Sequence, residues 1–522
     1  MTGEAGERAG CSSVVAEAGI EWSLTDQAFS RAAGAHLIGG NTVRLLCDAA
    51  ENYPAWLDAI GAAERYVCFE SYIMRDDAAG RQFADLLMAK ARAGVPVRLL
   101  YDWMGALGKT PAQFWKALRR AGVEVRCFNP LRLSSPLGWV HRDHRKSLLV
   151  DGRVGFITGL CVGDAWVGDP SRGIDPWRDT GIEIRGPAVA EIERAFARVW
   201  AVPGPPIPAD EGPARWETTA SAGDVAMRIV ASEPNHAGLL RVEELVAAAA
   251  RNTLWLTDAY FAGIPSYLEA LRAAALDGVD VRLLVPGGTD IPVLRPLSRA
   301  GYRPLLEAGV RVFEWNGPML HAKTAVADGQ WARVGSSNLN VASWLGNYEL
   351  DAVMENKEFA HAMAAQYEDD LTHATEVLLR GKHRPRLSVG SSIEVIPASG
   401  GSRPHAPGGG SAGRAAAGAI RLGNTVTAAV TGHRVLAPAD ARVLGATGGV
   451  LLALAGSAVW WPRLFAVPLA LLLAWLGGAL VARALRLRRD RPPRSTVPNS
   501  QRPAPTAASS AQEPPGPKGS LP

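Results

Sequence analysis

HRKSLLVD at residues 144–151 and HAKTAVAD at residues 321–328 carry one sparse pattern twice, HxKxxxxD, in which His144, Lys146 and Asp151 are answered by His321, Lys323 and Asp328. With 10 histidines and only 8 lysines in 522 residues, composition alone yields roughly 0.01 such matches. The flanking text repeats as well. ARAGVPVRLLYD (91–102) is answered by ALDGVDVRLLVP (275–286), and AGVEVRCFNP (121–130) by AGVRVFEWNG (308–317). An ordered repeat predicts two similar units. Phe83, Leu86, Leu87 and Met88 lie near helical spacing ahead of the VxVRLL run, and short β-rich stretches, Tyr66–Met74 and Leu254–Phe261, open the blocks. Alternating helix and strand signals predict an α/β fold of two similar units packed as a pseudo-twofold pair.

Residues i and i+2 of a strand point to one face, so on a strand each histidine projects beside its lysine. If the two units meet about a pseudo-twofold axis, two imidazoles and two ammonium groups surround one centre suited to a phosphate ester. An imidazole near its ordinary value of 6.5 exists in both forms at neutral pH, so one ring can attack phosphorus while the other protonates the leaving alkoxide. The lysines then hold the non-bridging oxygens, a task magnesium often performs elsewhere, so no metal or other cofactor is expected. Asp151 and Asp328 each precede glycine. Two readings stand for them, a part in the chemistry and a turn-bracing role. Asp179 in PWRDT and Glu349 in NYELD, one per repeat, are the better candidates to orient the imidazoles.

The duplicated motif resembles the phospholipase D superfamily, and the wider text resembles its bacterial cardiolipin synthase branch over about residues 38–375. The stretches that carry this are ESYIMRDDAAGRQFADLL, WVHRDHRKSLLVDG, GDAWVGD followed by PWRDT, LTDAYF, MLHAKTAVADGQWARVGSSNLN and NYEL. The resemblance implies a metal-independent phosphatidyl-histidine intermediate resolved by an alcohol or by water. It assigns His144 as nucleophile and His321 as acid/base, with the reverse left open. It also implies that Ser336 and Asn338 bind phosphate and support Lys323. The first copy departs from the family at Cys161, where asparagine is usual, and at Thr158, where glycine is common. Asn340 and Ala342 stand where cardiolipin synthases typically show aspartate and arginine. Leu133, Leu137 and Trp139, in a loop longer than its counterpart, suit either acyl chains or ordinary loop packing.

Composition divides the chain into an N-terminal segment (1–37), a first unit (38–201), a Pro/Gly-rich linker (202–224), a second unit (225–387), a flexible linker and membrane approach (388–442), a transmembrane hairpin (443–482) and a basic, then disordered tail (483–522). Val443–Trp461 and Leu464–Ala482 are each 19 residues without a charge, long enough to cross about 30 Å of hydrocarbon. The arginine-rich flank that follows marks a cytoplasmic edge. No secretory signal is legible at the amino end. The expectation is a multi-pass protein of the cell (inner) membrane, its catalytic region cytoplasmic. A net charge of +4 gives no reason to expect a nucleic-acid partner. Five cysteines without CxxC spacing argue against a disulfide framework and a structural zinc site. The partners expected are phospholipid substrates, phosphatidylglycerol foremost, and the membrane; one chain supplies a complete site. The function expected is the joining of two phosphatidylglycerols into cardiolipin with release of glycerol. The alternatives are a phospholipase D hydrolase, another phosphatidyltransferase and, from a different class, a non-catalytic phospholipid-binding membrane adaptor.

Overall fold

The computed structural model describes residues 26–130, 141–208, 211, 220–291 and 294–379, with scattered positions between 449 and 478. The VxVRLL repeats become central parallel strands. In the first half, β1 (Ile38–Cys47), β2 (Val67–Ser71), β3 (Val97–Asp102), β4 (Glu124–Phe128), β5 (Lys146–Val150), β6 (Val154–Thr158) and β7 (Thr180–Arg185) follow one another. The second half repeats the series as β8 (Val225–Ser232), β9 (Thr253–Thr257), β10 (Asp280–Pro286), β11 (Arg311–Trp315), β12 (Thr324–Ala327), β13 (Trp331–Gly335) and β14 (Glu349–Glu355), and adds β15 (Ala374–Glu376). From the centre outward the strand order is β1-β7-β6-β5-β2-β3-β4 on one side and β8-β14-β13-β12-β9-β10-β11-β15 on the other. The two halves therefore share one topology.

β3 pairs in parallel with β2 and β4, and β10 with β9 and β11. Every residue of β3 is buried, as expected of a parallel strand covered on both faces. The helix Ala78–Arg92 covers this region. It starts at Asp77, whose carboxylate accepts from the Gly80 amide, and buries Phe83 and Leu87, one turn apart.

The strands that join the halves, β1 and β8, carry no clear alternation and escape the sequence reading. β1 pairs antiparallel with β7 of its own half and with β8 of the other, and its register shifts between Ile38 and Asn41. Gly40 supplies the positive φ of 82° there. Buried Asn41 secures the seam: its Nδ2 donates to the carbonyls of Ile38 and Val225, and its Oδ1 accepts from the Ala188 amide. β6 and β7 also approach β13 and β14. A shared core fills the space between halves, with Ile182, Phe196 and Trp200 from one side and Leu350, Met354 and Tyr367 from the other. Burial of each large side chain contributes roughly 1.5–3 kcal/mol. Helix Val189–Trp200 packs on β5 and also on β8, while helix Lys357–Thr372 packs on β12, β13 and also on β1.

Of the expected hairpin at 443–482, only scattered positions are described, and these are helical. Among the described residues no helix is long and apolar enough to cross a membrane, so this expectation lies for the most part outside them. The same holds for Leu133, Leu137 and Trp139.

Arg333 on β13 is fully buried between Glu243 and Asp351, at 2.8 and 3.2 Å, and donates to the Ser337 carbonyl at 3.2 Å. Replacing it leaves two carboxylates unpaired in the interior. Arg333→Ala is expected to cost about 3–5 kcal/mol, read as a lower urea midpoint at unchanged m-value.

Candidate active site

The motif histidines do not lie within strands. Lys146 opens β5, and His321 and Lys323 precede β12, which corrects the expectation that His and Lys share a regular strand. Each lead-in is pinned by the opposite half. Asp143 bridges in parallel to Tyr348, and Leu320 to Arg178. The His144 amide donates to the Tyr348 carbonyl at 2.9 Å, and the Tyr348 amide to that of Arg142 at 2.8 Å. In the same manner the His321 amide donates to the Arg178 carbonyl at 2.7 Å, and the Arg178 amide to that of Met319 at 2.9 Å.

The residue after each bridge is an acid, so each imidazole receives its carboxylate from the other half. His144 Nδ1 lies 3.0 and 2.9 Å from the two carboxylate oxygens of Glu349. His321 Nδ1 lies 2.7 Å from Asp179 Oδ2. With Nδ1 engaged, Nε2 is the ring nitrogen left for chemistry. Ser336 Oγ donates to Glu349 at 2.6 Å and Asn347 Nδ2 at 3.2 Å. Asp179 instead accepts from Trp166 Nε1 at 3.0 Å and from the Thr180 amide at 2.9 Å. Gly159 occupies the place of Ser336, and a Cβ there would come within 2.1 Å of Asp179 Oδ1. Each lysine donates to the carbonyl of its own motif histidine, and Lys323 Nζ stands 3.0 Å from His321 Nδ1.

The rings are 8% and 5% exposed at His144 and His321, which makes burial the largest influence on them. Burial pushes His321 down to about 3, aided by Lys323 and opposed by Asp179. Burial also lowers His144, opposed by Glu349. Lys323 is lowered to about 8 by burial. For Asp179 and Glu349 burial acts upward, but the imidazole beside each and the lysines outweigh it and hold both carboxyls below their ordinary values. Lys323 acts on His144 and Lys146 on His321, so the four groups share one electrostatic environment. Two ammoniums and two carboxylates balance there when both rings are neutral, so a phosphodiester would bring in one negative charge that a single protonated imidazole offsets. Among the described residues no group of three or more His, Cys, Asp or Glu side chains is placed to hold a metal ion.

Asp151 and Asp328 stand apart from this constellation. Asp151 accepts from the amides of Glu64, Arg65 and Tyr66 at 2.7–2.9 Å, and Asp328 from those of Arg251, Asn252 and Thr253 at 2.8–2.9 Å. Both have positive φ, 58° and 50°, and three amide donors apiece hold each tight turn against the start of a neighbouring strand. The geometry favours the turn-bracing reading for both. Asn338 is buried, its backbone N–H donates to Ser343 Oγ, and its side-chain Oδ1 has no hydrogen-bond partner. Its counterpart Cys161 is buried and its thiol raised by burial, so that side lacks an amide. Asn340 is spent on local backbone, donating to the Tyr260 carbonyl and accepting from the amides of Ala342 and Ser343. His141 lies one bridge away, Nδ1 2.8 Å from the Gly346 carbonyl.

Four aromatic residues of the site were missed. Tyr72 and Tyr260, following β2 and β9, set their rings edge-on to His144 and His321 at 5.0 and 5.9 Å, with Lys146 and Lys323 over their faces. Trp166 and Trp177 flank His321 at 5.7 and 5.8 Å. The matched placement of ESY and DAY in the two blocks was the available signal for the tyrosines.

A family model described as cardiolipin synthase, phospholipase D-like domain, matches residues 56–200 and 245–371, more than half of the chain. The cardiolipin synthase of Alkalihalophilus pseudofirmus is 32% identical over 352 residues, covering 66% of this chain and 70% of that one. That of Halalkalibacterium halodurans is 33% identical over 356 residues, with the same coverage. Among solved structures, phosphatidylserine synthase from Haemophilus influenzae superposes with a TM-score of 0.52 at 14% identity, over 68% of this chain and 92% of that one; it shares the fold.

Two outcomes follow. Asp328→Asn places an amide against three backbone N–H groups, so it is expected to cost roughly 2–3 kcal/mol in urea unfolding while turnover of the folded enzyme changes less than about tenfold. For pH, a histidine lowered from 6.5 to about 3 binds fewer protons folded than unfolded. Its contribution is therefore complete above pH 6.5 and lost as pH falls from 6.5 towards 3. Between pH 7 and 5 it amounts to about 2 kcal/mol, and His321→Asn is expected to flatten the pH dependence of the unfolding free energy by that much.

Proposed function

The chain belongs to the cardiolipin synthase branch of the phospholipase D superfamily, and on that premise we propose that His144, Lys146, His321 and Lys323 form one phosphatidyl-transfer centre. The protein is a phosphatidyltransferase of phospholipase D type that acts on phospholipids. The reaction is the joining of two phosphatidylglycerols into cardiolipin with release of glycerol. The observation that carries the mechanism is the crossed pairing of each imidazole with the other half's carboxylate, His144 with Glu349 and His321 with Asp179.

In the first step Nε2 of His144 attacks phosphorus. The bond to the glycerol oxygen breaks, and that oxygen takes the proton held on Nε2 of His321. Burial and the ammoniums hold both rings towards the neutral form. The negative charge of a diester between the lysines offsets that push and lets His321 take up its proton. In the second step His321 removes a proton from the hydroxyl of a second phosphatidylglycerol, whose oxygen attacks phosphorus as the P–N bond breaks. The electron pair returns to His144. Lys146 and Lys323 stabilise the non-bridging oxygens throughout; the buried Oδ1 of Asn338, which has no hydrogen-bond partner, can only accept a hydrogen bond. Glu349 and Asp179 fix the tautomers and stabilise the imidazolium, as the acid of a hydrolase triad does.

The uncharged runs in 443–482 support attachment to the cell membrane, with the catalytic region on the cytoplasmic side. Tethering holds the enzyme where its substrates are embedded. Both halves of the site come from one chain, so a monomer is sufficient.

Full-length protein in phosphatidylglycerol vesicles is expected to form cardiolipin and glycerol without added metal. His144→Ala and His321→Ala are each expected to lower the rate by roughly 10⁴-fold or more. After quenching in denaturing detergent at neutral pH, lipid-bound phosphoenzyme should be recoverable from His321→Ala and not from His144→Ala; the opposite result reverses the two roles. Lipid binding without turnover by the wild type would replace the enzyme by the adaptor.

A further inference from the structure

The two halves depart from symmetry beside the imidazoles. Arg178 and Tyr348 correspond, since each bridges to the residue before a motif histidine. The residue preceding them is Trp177 in one half and Asn347 in the other. Asn347 donates its side-chain amide to Glu349, so the surroundings of His144 are polar at this point. Trp177 sets its indole 5.8 Å from the His321 ring, tilted by 36°, and 4.8 Å from Trp166. With Trp166 and Tyr260, three aromatic rings lie within 6 Å of His321. Among the described contacts His144 has only Tyr72.

Trp177 also stands at a boundary. It is half-buried, it follows the exposed run 171–176, and its amide is tied to the Ala165 carbonyl at 3.1 Å. Its partly exposed ring thus lies 5.8 Å from the buried imidazole that, in the reading above, deprotonates the acceptor.

We propose that Trp177 is a specificity-determining residue: it denies water an ordered place beside His321, so that a lipid alcohol and not water resolves the phosphatidyl-histidine. This rests on the transfer reading with His321 as acid/base. The two outcomes of the second step differ only in the acceptor. In both, the acceptor oxygen bonds to phosphorus, the P–N bond to His144 breaks with its electron pair returning to nitrogen, and the acceptor proton passes to Nε2 of His321. A glyceryl hydroxyl gives cardiolipin; water gives phosphatidic acid. A water held for attack needs two to four polar partners, which an indole face does not supply. The carbon skeleton of a glycerol headgroup gains dispersion contact from the same face. Discrimination by an apolar wall of this kind is of the order of 10–200-fold.

The test is the ratio of phosphatidic acid to cardiolipin formed by full-length enzyme in phosphatidylglycerol vesicles. Trp177→Ala, and Trp177→Asn, which copies the other half, are expected to raise that ratio about tenfold. Trp177→Phe keeps an aromatic wall and should stay within about twofold of wild type. Trp166→Phe loses the bond to Asp179 and should lower total turnover with the ratio unchanged. A purely structural role for Trp177 lowers both products together. An unchanged ratio in active Ala or Asn variants overturns the proposal, as does a Phe variant that leaks as much as Ala. A wild type that yields phosphatidic acid alone overturns the transfer reading and this inference with it.

Discussion

The exchange of carboxylates between halves governs this structure. Glu349 of the second half holds His144 of the first, and Asp179 of the first holds His321 of the second. Neither motif histidine takes its carboxylate from its own half. The two-residue bridges at Asp143/Tyr348 and Leu320/Arg178 set these contacts at the level of the backbone, so the carboxylates do not depend on flexible side chains to find their partners. Buried charge without a partner costs several kcal/mol, so the same crossed pairs that orient the imidazoles penalise separation of the halves.

Additional buried ion pairs support the crossing. Arg178, adjacent to Asp179, forms a two-point contact with Asp370 of the opposite half at 2.7 and 3.0 Å and reaches Asp48 at 3.2 Å. Asp48 adopts φ of 54° where β1 gives way to the helix Asp48–Gly61, and its carboxylate accepts from the Asp179 amide at 2.8 Å. On the other side Arg145 donates to the carbonyls of Glu349, Ala195 and Ser232. A cation on each side therefore joins a catalytic segment to the opposite half and to the shared core.

Duplication left the halves similar in topology and different in chemistry. Ser336 supports Glu349 with a hydroxyl, whereas Gly159 leaves room for Asp179 to lie against the backbone and Trp166 supplies the hydrogen bond instead. The ring of His321 is enclosed by aromatic groups, while the partner of His144 is contacted by Asn347. Two imidazoles in one site must take different protonation states during a double displacement, and unequal surroundings are a physical means of separating them.

Local pattern carried much of the architecture. The repeated VxVRLL and AGV stretches mark parallel strands because burial on both faces demands continuous apolar runs, and the spacing of HxKxxxxD was readable because each copy occupies one short segment. Asp151–Gly152 and Asp328–Gly329 were legible as turns for the same reason. The seam was not. β1 and β8 hold the halves together through pairings about 185 residues apart, Ile38 with Met227 and Asn41 with Val225, and neither strand's own composition encodes its partner. Asp179 and Glu349 could be nominated from their matched positions, but which imidazole each would serve, and the enclosure of His321 by Trp177, arise from contacts between the two halves. Periodicity along a chain records the burial of a segment; the identity of the group opposite it is decided only when distant segments are brought together.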